Sequence, residues 1–308
     1  MSKRESTVLR LREDPDYFRA ATGFTAQVTG FAPRLVEKDC LCTLLLEYLA
    51  AACPELVFKG GTCLAKIHAG FYRLSEDLDF VIPTPAATPR SRRSRQAAGL
   101  KQAIAELPQR LPVFRIIEPL TGSNNSTQYC ALIAYTPLAS EGADTIRIEI
   151  GLREPLVLPV LDAPAQTLLL DPNSDQPLIP PLPVRCISKL EAFAEKFRAA
   201  LSRREVAARD FFDLDYAVRK LELQPDNAEL IQLVRQKLTV VGNAPVDVSE
   251  GRLRELRQQA EPQLRPVLRP KDYAEFDLPR AFRLVVDMAA KVRQTIPQPA
   301  PAPPRSRR

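Results

Sequence analysis

The chain has 308 residues, of which 45% are hydrophobic and 26% are charged. These proportions are typical of a folded globular protein and exclude a disordered, a collagen-like or a disulfide-stabilised scaffold. Lys and Arg number 43 against 37 Asp and Glu, so the formal net charge is +6, which favours an anionic partner. Charges are scattered through the N-terminal segment, and no stretch reaches the roughly 18 apolar residues of a membrane span. We therefore expect a cytoplasmic protein without a membrane partner.

The proline distribution predicts how the chain is organised. Eight of the 29 prolines fall between residues 153 and 183. This density predicts that the segment contains no long helix and no central strand. The pattern predicts an α+β fold, with a domain of helices and strands over residues 1–152, a proline-rich connector over 153–185 and a mainly helical domain over 186–294. A Pro- and Ala-rich tail over 295–308 is predicted to be extended and disordered.

The predicted elements before the connector alternate between helices and strands, after a polar N-terminal segment. In chain order they are helix 37–52, strand 56–59, helix 62–69 capped by Thr62, strand 77–82, helix 91–107, and strands 113–117, 128–135 and 145–152. Beyond the connector, apolar residues recur at helical spacing over 187–201, 206–223, 228–238 and 273–293.

The cysteines do not form a recognisable metal motif. There are six of them: Cys40, Cys42, Cys53, Cys63, Cys130 and Cys186. Cys40 and Cys42 lie two residues apart on a predicted helix and point in different directions, and no CxxC pair or second histidine completes a tetrahedral set. We interpret the cysteines as small buried hydrophobic residues. The single histidine, His68, gives no support to histidine-based nucleophilic catalysis.

Paired carboxylates on a predicted strand are the main chemical feature of the sequence. Asp77 and Asp79 alternate with apolar residues, so both side chains lie on one face of the strand. Two such charges repel each other, and a hard divalent cation relieves the repulsion. If strand 145–152 lies beside this one, Glu149 adds a third carboxylate on the same face. The alternative is that these are solvent-facing acids on half-exposed strands.

A glycine pair at the end of the preceding strand is suited to a phosphate group. Gly60, Gly61 and Thr62 place free backbone N–H groups, a hydroxyl and the start of a helix at one point. Glycine pairs more often only make turns, and the P-loop pattern is absent. The combination with paired carboxylates is more specific, because it describes a site that holds a nucleoside triphosphate and Mg²⁺ together.

Two stretches of the sequence resemble a known family. Residues 58–64 and 73–80 resemble the signature of the AbiEii/AbiGii-type toxin nucleotidyltransferases, which are relatives of the DNA polymerase β-like superfamily. Lys196, followed by the Arg-Asp and Asp-Leu pairs of residues 209–214, resembles the second signature of that family. The resemblance covers about residues 31–217 and implies an N-terminal nucleotidyltransferase domain with a mixed sheet flanked by helices.

The resemblance also implies an activity. Members transfer a nucleoside monophosphate from an NTP, and several of them transfer it to the 3′ end of tRNA, which blocks translation. A cognate antitoxin opposes them, in toxin–antitoxin systems of the abortive-infection, phage-defence type. The implied roles are Mg²⁺ or Mn²⁺ binding by Asp77, Asp79 and Glu149, nucleotide binding by Gly60, Gly61, Thr62, Ser75 and Lys196, and completion of the second signature by Asp210. An ordinary solvated helix face or an interdomain ion pair is the alternative for Lys196 and Asp210.

Basic residues suggest where an RNA backbone lies. Arg90, Arg92, Arg93 and Arg95 follow the Asp77–Asp79 strand across a loop and would guide RNA into the site, although such clusters are often only solvated faces. No DNA partner is predicted. The sequence leaves two other functions open, which are nucleotidylation or phosphorylation of a protein and a noncatalytic module that acts by binding nucleotide or RNA.

Overall fold

The structure, a computed structural model, describes residues 6–294. Up to the middle of the chain the elements are α1 (Thr7–Arg12), α2 (Pro15–Thr29), α3 (Pro33–Ala52), β1 (Val57–Lys59), α4 (Gly60–Cys63) continued by a π-helix (Leu64–His68), β2 (Leu78–Val81), α5 (Arg90–Gln96), α6 (Ala98–Arg110), β3 (Phe114–Ser123), β4 (Gln128–Tyr135) and β5 (Asp144–Gly151). The remaining elements are β6 (Leu161–Ala165), β7 (Leu182–Cys186), α7 (Lys189–Ser202), α8 (Ala208–Lys220), α9 (Ala228–Leu238), α10 (Glu250–Leu264), α11 (Pro270–Glu275) and α12 (Leu278–Arg293).

The seven strands form one mixed sheet in the order β3-β4-β5-β2-β1-β7-β6. The pairs β1–β2, β3–β4, β4–β5 and β6–β7 are antiparallel, and the pairs β2–β5 and β1–β7 are parallel. The predicted α+β class with helices after the sheet is confirmed by this arrangement. Because β2 lies between β1 and β5, Asp79 of β2 and Glu149 of β5 lie near the centre of the sheet, beside the end of β1 that leads into the glycine turn.

The proline-rich segment continues the sheet, so the prediction that it contains no central strand is wrong. β7 pairs with β6 on one side and with β1 on the other. Two prolines face each other, Pro164 of the edge strand β6 and Pro183 of β7. The pairing of β7 with β1 is confined to Cys186 and Phe58. Pro183 therefore lies beyond the end of β1, where its missing N–H removes no bond between these strands.

Helices pack on the sheet and on each other around one continuous hydrophobic core. α3 is buried along most of its length, with Leu41, Leu45 and Leu49 fully inaccessible. Helices α7 and α8 of the C-terminal part are amphipathic and bury Phe193, Phe211 and other large side chains in the same core. Across residues 6–294 no helix is both long enough and apolar enough to span a membrane.

Several predicted element bounds differ from the structure for local reasons. The predicted helix 62–69 begins two residues earlier, at Gly60, so Thr62 is not its cap. The predicted helix 91–107 is two helices, α5 and α6, and the predicted helix 273–293 is also two, because the chain is extended at Phe276 before Asp277 caps α12. The predicted disordered tail lies outside the described residues.

Helices α1, α2 and α10 were not predicted. The sequence nevertheless contains the signals that begin and end α2. The Asp14 carboxylate accepts a hydrogen bond from the Tyr17 N–H, and Pro15 occupies the first helical position. Gly30 ends the helix in the left-handed conformation, at φ +79°. α10 is polar along most of its length, so its apolar spacing is weak, and its clearest signal is the N-cap Ser249.

Candidate active site

The acidic residues come together on neighbouring strands. Asp79 of β2 lies directly beside Glu149 of the parallel strand β5 and faces Lys59 of β1 on its other side. Asp77 immediately precedes β2. The condition set by the sequence, that the strand with Glu149 lies beside the strand with Asp79, is therefore met.

The three carboxylates interact electrostatically. Burial is the main cause that raises the pKa of Asp79 to about 6, and the neighbouring Glu149 carboxylate adds to it. Burial likewise raises the pKa of Asp77, with a further contribution from Glu149. Glu149 itself is paired with Arg147, whose Nε lies 2.6 Å from its Oε1. Carboxylates whose ionised form is disfavoured by burial and by a neighbouring carboxylate suit a hard divalent cation such as Mg²⁺.

The glycine turn is packed directly against these acids. Gly60 has φ +78°, and a Cβ atom built on it would lie 2.0 Å from Oδ2 of Asp79. A Cβ atom on Gly61 would lie 2.8 Å from Nη2 of Arg73 and 2.9 Å from Oγ of Ser75. Both positions need glycine, because the backbone at the start of α4 approaches side chains that any Cβ would displace.

Thr62 contributes to this site through the backbone. Its side chain is buried, and its hydroxyl donates a hydrogen bond to the main-chain carbonyl of Asp77. This bond ties the first turn of α4 to the segment that enters β2. The hydroxyl therefore positions the Asp77 segment in the structure, and its contact with the triphosphate stays a prediction.

Replacing Gly60 by alanine should disable the site. The new Cβ would collide with the Asp79 carboxylate, and the left-handed backbone conformation costs about 1–2 kcal/mol for a residue with a Cβ. We expect Gly60→Ala to lower the rate of nucleotide transfer by at least about 100-fold, because the acid is moved out of place. A matched control is Gly99→Ala, since a Cβ at Gly99 of α6 meets nothing within 4 Å. Equal activity of the two variants in a transfer assay would contradict this packing argument.

The second signature forms a network of buried ion pairs. Nζ of Lys196 on α7 lies 2.8 Å from Oδ1 of Asp210 and 2.8 Å from Oδ2 of Asp213, both on α8. Asp213 also accepts from Nη2 of Arg73 at 2.7 Å and from the Tyr72 hydroxyl at 2.6 Å. The network therefore connects the two helices with the segment that precedes Asp77.

Charge neutralisation within this network shifts each pKa in the expected direction. Burial alone would lower the pKa of Lys196, but Asp210 and Asp213 raise it above its ordinary value. Burial would raise the pKa of Asp213, but Arg73 and Lys196 hold it well below its ordinary range. The pKa of Asp210 is also lowered overall, against the effect of burial, by Lys196 and Arg203. Lys196, Asp210 and Asp213 are therefore charged at neutral pH, and Asp210 acts in the structure as a partner of Lys196.

Sequence reasoning missed the connection between the two signatures. Arg73 and Asp213 lie 140 residues apart, and their side chains are almost fully buried. The available signal is the spacing of Asp210 and Asp213, because residues three apart on a helix share one face. This spacing is consistent with a buried ion pair between the helix and Arg73, which precedes the acidic strand. Sequence spacing does not reveal, however, that Arg73 and Asp213 are in contact.

A cleft of about 880 Å³ opens over the acids and the glycine turn. Its wall includes Asp79 and Glu149, and basic side chains surround them: Lys59, Arg153, Lys196, Arg198, Arg203 and Arg204. Among the predicted site residues, Gly60, Gly61, Arg93 and Asp210 also line it, whereas Asp77, Thr62 and Ser75 lie on the adjoining segments. Lys59 forms an ion pair with Glu195, in which the Lys59 Nζ lies 2.6 Å from the Glu195 Oε2.

The predicted arginine cluster divides into two groups. Arg90, Arg92 and Arg95 are exposed on α5, which contacts the Asn124–Ser126 turn at the cleft. Arg93 is buried and donates from Nη2 to the Ala86 carbonyl at 2.8 Å. Three of the four predicted arginines are therefore exposed, and Arg93 belongs to the cleft wall because it occupies the inward side of this helix.

One of the comparisons with known proteins identifies a family. The family model described as "Nucleotidyl transferase AbiEii toxin, Type IV TA system" matches residues 44–287. Two solved structures from Helicobacter pylori, each 16% identical, are similar: a candidate nucleotidyltransferase (TM-score 0.49, covering 85% of this chain and 96% of that one) and JHP933 (TM-score 0.48, covering 85% and 93%). No curated protein matches the chain.

Proposed function

Because the chain belongs to the AbiEii nucleotidyltransferase toxin family of type IV toxin–antitoxin systems, we propose that it transfers a nucleoside monophosphate from an NTP to the 3′ end of tRNA. The transfer is Mg²⁺-dependent and blocks translation. The observation that supports this most is the placement of Asp79 beside Glu149 on adjacent strands, with the Gly60 backbone packed against the Asp79 carboxylate. This arrangement presents metal-binding oxygens next to a helix start suited to phosphate.

Each part of the site has a proposed role in the reaction. A Mg²⁺ ion held by Asp77, Asp79 and Glu149 supplies charge neutralisation at the α-phosphate when it is bound, and Mn²⁺ fits the same oxygen donors. The N–H groups at Gly60 and Gly61 and the Ser75 hydroxyl lie where the triphosphate is expected. The Thr62 hydroxyl orients Asp77 by donating a hydrogen bond to the main-chain carbonyl of Asp77.

The remaining steps concern the acceptor and the leaving group. The 3′ hydroxyl of the acceptor attacks the α-phosphorus, and its proton passes to the Glu149 carboxylate, which lines the cleft. The bond between the α-phosphorus and the bridging oxygen breaks, and pyrophosphate leaves past Lys196. Asp210 and Asp213 keep Lys196 charged and fixed in direction.

The acceptor is the part of the proposal that rests on the basic surface. Arginines line the cleft, and three more are exposed on α5 beside it, as expected for contact with a phosphate backbone. To test the acceptor, the protein is incubated with Mg²⁺, each α-phosphate-labelled NTP in turn, and total tRNA. A parallel reaction contains tRNA whose 3′ terminal ribose has been oxidised by periodate.

The assay separates the candidate functions. Label on intact tRNA and none on oxidised tRNA supports transfer to the 3′ end and identifies the preferred NTP. Label on a protein band would favour protein nucleotidylation in its place. No label with any NTP, together with toxicity that survives Asp79→Asn, would favour a noncatalytic module that acts by binding.

Neutralising the exposed arginines of α5 should weaken RNA binding without affecting the chemistry. In the triple variant Arg90→Ser, Arg92→Ser, Arg95→Ser, we expect the slope of the logarithm of the tRNA association constant against the logarithm of the salt concentration to become shallower by about 2–3. The reason is that binding releases about one counterion fewer for each arginine removed. The control changes Arg254, Arg257 and Arg283 to serine, on helices α10 and α12, which contribute nothing to the cleft wall. An equal slope in both triples, measured by filter binding, would contradict an RNA path along α5.

Metal binding should depend on pH in a defined direction. Because the pKa of Asp79 is raised to about 6 in the metal-free protein, protons compete with the cation increasingly as the pH falls below that value. We expect the apparent affinity for Mg²⁺ or Mn²⁺ to weaken by up to about tenfold per pH unit below pH 6 and to level off above pH 7. Isothermal titration at several pH values measures this, and affinity that is constant from pH 5 to pH 8 would contradict it.

The remaining features of the proposal concern the cell. A type IV toxin–antitoxin family implies a cognate antitoxin as partner, and defence by abortive infection is the proposed setting. Since the proposed substrate is tRNA, we place the reaction in the cytoplasm. Expression of the wild-type chain should stop growth, and co-expression of the cognate antitoxin should restore it, whereas Asp79→Asn should be harmless alone.

A further inference from the structure

Two thiols and one imidazole meet next to the glycine turn. One ligand atom of each of Cys63, His68 and Cys186 lies within 4.8 Å of the other two. Both cysteines are fully buried, and His68 is partly exposed. The residues come from distant parts of the chain, because Cys63 ends α4, His68 ends the π-helix and Cys186 ends β7.

The π-helix explains how two of these residues share one face. In an α-helix, residues five apart are rotated by about 140° from each other, so Cys63 and His68 would point to different sides. Between them the helix widens, and the Ala69 N–H donates to the Leu64 carbonyl five residues earlier at 2.8 Å. A turn that closes on the fifth residue brings side chains five apart towards one face, and such insertions are frequent at functional sites.

A backbone hydrogen bond fixes the histidine ring. Nε2 of His68 lies 2.9 Å from the Ile187 carbonyl oxygen. Because a carbonyl oxygen can only accept, Nε2 carries the hydrogen, and in the neutral ring the lone pair is on Nδ1. Metal-binding histidines are commonly oriented in this way, with one ring nitrogen donating to a carbonyl and the other free to bind.

We propose that Cys63, His68 and Cys186 bind a Zn²⁺ ion. Two thiolates and one imidazole are a donor set that zinc prefers and that Mg²⁺ does not. Among residues 6–294 the cluster has these three side-chain donors, so a water molecule completes a tetrahedron at the partly exposed side of His68. Proton balance is met because each thiol releases one proton to solvent on binding.

The ion would connect the nucleotide-binding turn with the strand that leads into the helical part. Cys63 directly follows Thr62, and Cys186 pairs with Phe58 at the end of β7, where the Ile187 N–H donates to the Phe58 carbonyl at 3.0 Å. Zinc at this point fixes the start of α4 relative to β7 and to α7, which carries Lys196. Its proposed role is structural support, separate from the carboxylate site.

Cobalt substitution tests the site without reference to catalysis. The reduced, metal-free protein is titrated with Co²⁺, whose thiolate charge-transfer band and tetrahedral visible bands report sulfur ligation, and bound zinc is then counted by elemental analysis. The variants are Cys63→Ala and Cys186→Ala, with Cys42→Ala as the matched control, since Cys42 is equally buried on α3. Asp79→Asn is included to show that the carboxylates are not the ligands.

The outcomes are distinct. The proposal expects about one zinc ion per chain, the cobalt bands in wild type, Cys42→Ala and Asp79→Asn, and their loss in both ligand variants. Zinc should also raise the melting temperature of the wild type by about 5 °C or more. The proposal is overturned if the reduced wild type shows no thiolate band, if the band survives Cys63→Ala, or if Cys63 and Cys186 form a disulfide and bind no metal after reduction.

Discussion

Asp79→Asn is expected to lower nucleotide transfer by at least about 1000-fold. The amide keeps the shape of the carboxylate but removes the negative charge at the position where Asp79 and Glu149 lie side by side. Loss of metal-assisted charge neutralisation is worth several kcal/mol of barrier, and about 4 kcal/mol corresponds to this factor. The rate is measured as pyrophosphate release from the preferred NTP.

The same substitution should leave the fold intact. Burial raises the pKa of Asp79, so the ionised carboxylate is unfavourable there without a cation, and a neutral amide relieves that cost. We expect the melting temperature of metal-free Asp79→Asn to equal or exceed that of the wild type, and Mg²⁺ to stabilise only the wild type. The matched control is Asp287→Asn, exposed on α12. Transfer by Asp79→Asn at the control rate would disprove the assignment of the site.

Asp213→Ala is expected to cause the largest loss of stability. The carboxylate is fully buried and pairs with both Arg73 and Lys196. Its removal leaves the buried Arg73 guanidinium without this partner, and breaking such a pair costs about 3–5 kcal/mol. For a chain of this size the melting temperature should fall by about 10 °C, as measured by scanning calorimetry.

An exposed ion pair provides the comparison. Asp226 lies 2.6 Å from Lys291, but its side chain is 85% exposed, so Asp226→Ala should change the stability by less than about 0.5 kcal/mol. A double variant, Arg73→Met with Asp213→Leu, should recover part of the loss, because both ends of the buried pair are then apolar. Equal melting temperatures for Asp213→Ala and Asp226→Ala would contradict the stabilising role of the network.

The fold could be predicted where the signal is local. The bounds of β4 and α9 match the predicted elements residue for residue, because alternating or helically spaced apolar residues identify a half-buried strand or an amphipathic helix. β7 was missed because Pro183 argues against a central strand, and only the tertiary pairing shows that this proline lies beyond the end of β1. Strand order of this kind depends on contacts between distant residues.

The site could be predicted to a similar extent. Alternation identifies Asp77 and Asp79, and the strand order then brings Glu149 beside Asp79 as the sequence condition required. The contact of Arg73 with Asp213 and the meeting of Cys63 with Cys186 were not predicted, because the partners are more than 100 residues apart. Five of the six cysteines are buried as expected, and Cys130 is only partly buried. Burial alone does not distinguish a hydrophobic cysteine from a metal ligand.

The most direct test of the central claim is label transfer by the purified protein. Wild type and Asp79→Asn are incubated with Mg²⁺, α-phosphate-labelled NTP and total tRNA, and the products are separated on a denaturing gel. The proposed function predicts a labelled tRNA band with the wild type and none with Asp79→Asn. A labelled band of equal intensity with both proteins would contradict the claim that Asp79 and its neighbouring carboxylates are the centre of nucleotidyl transfer.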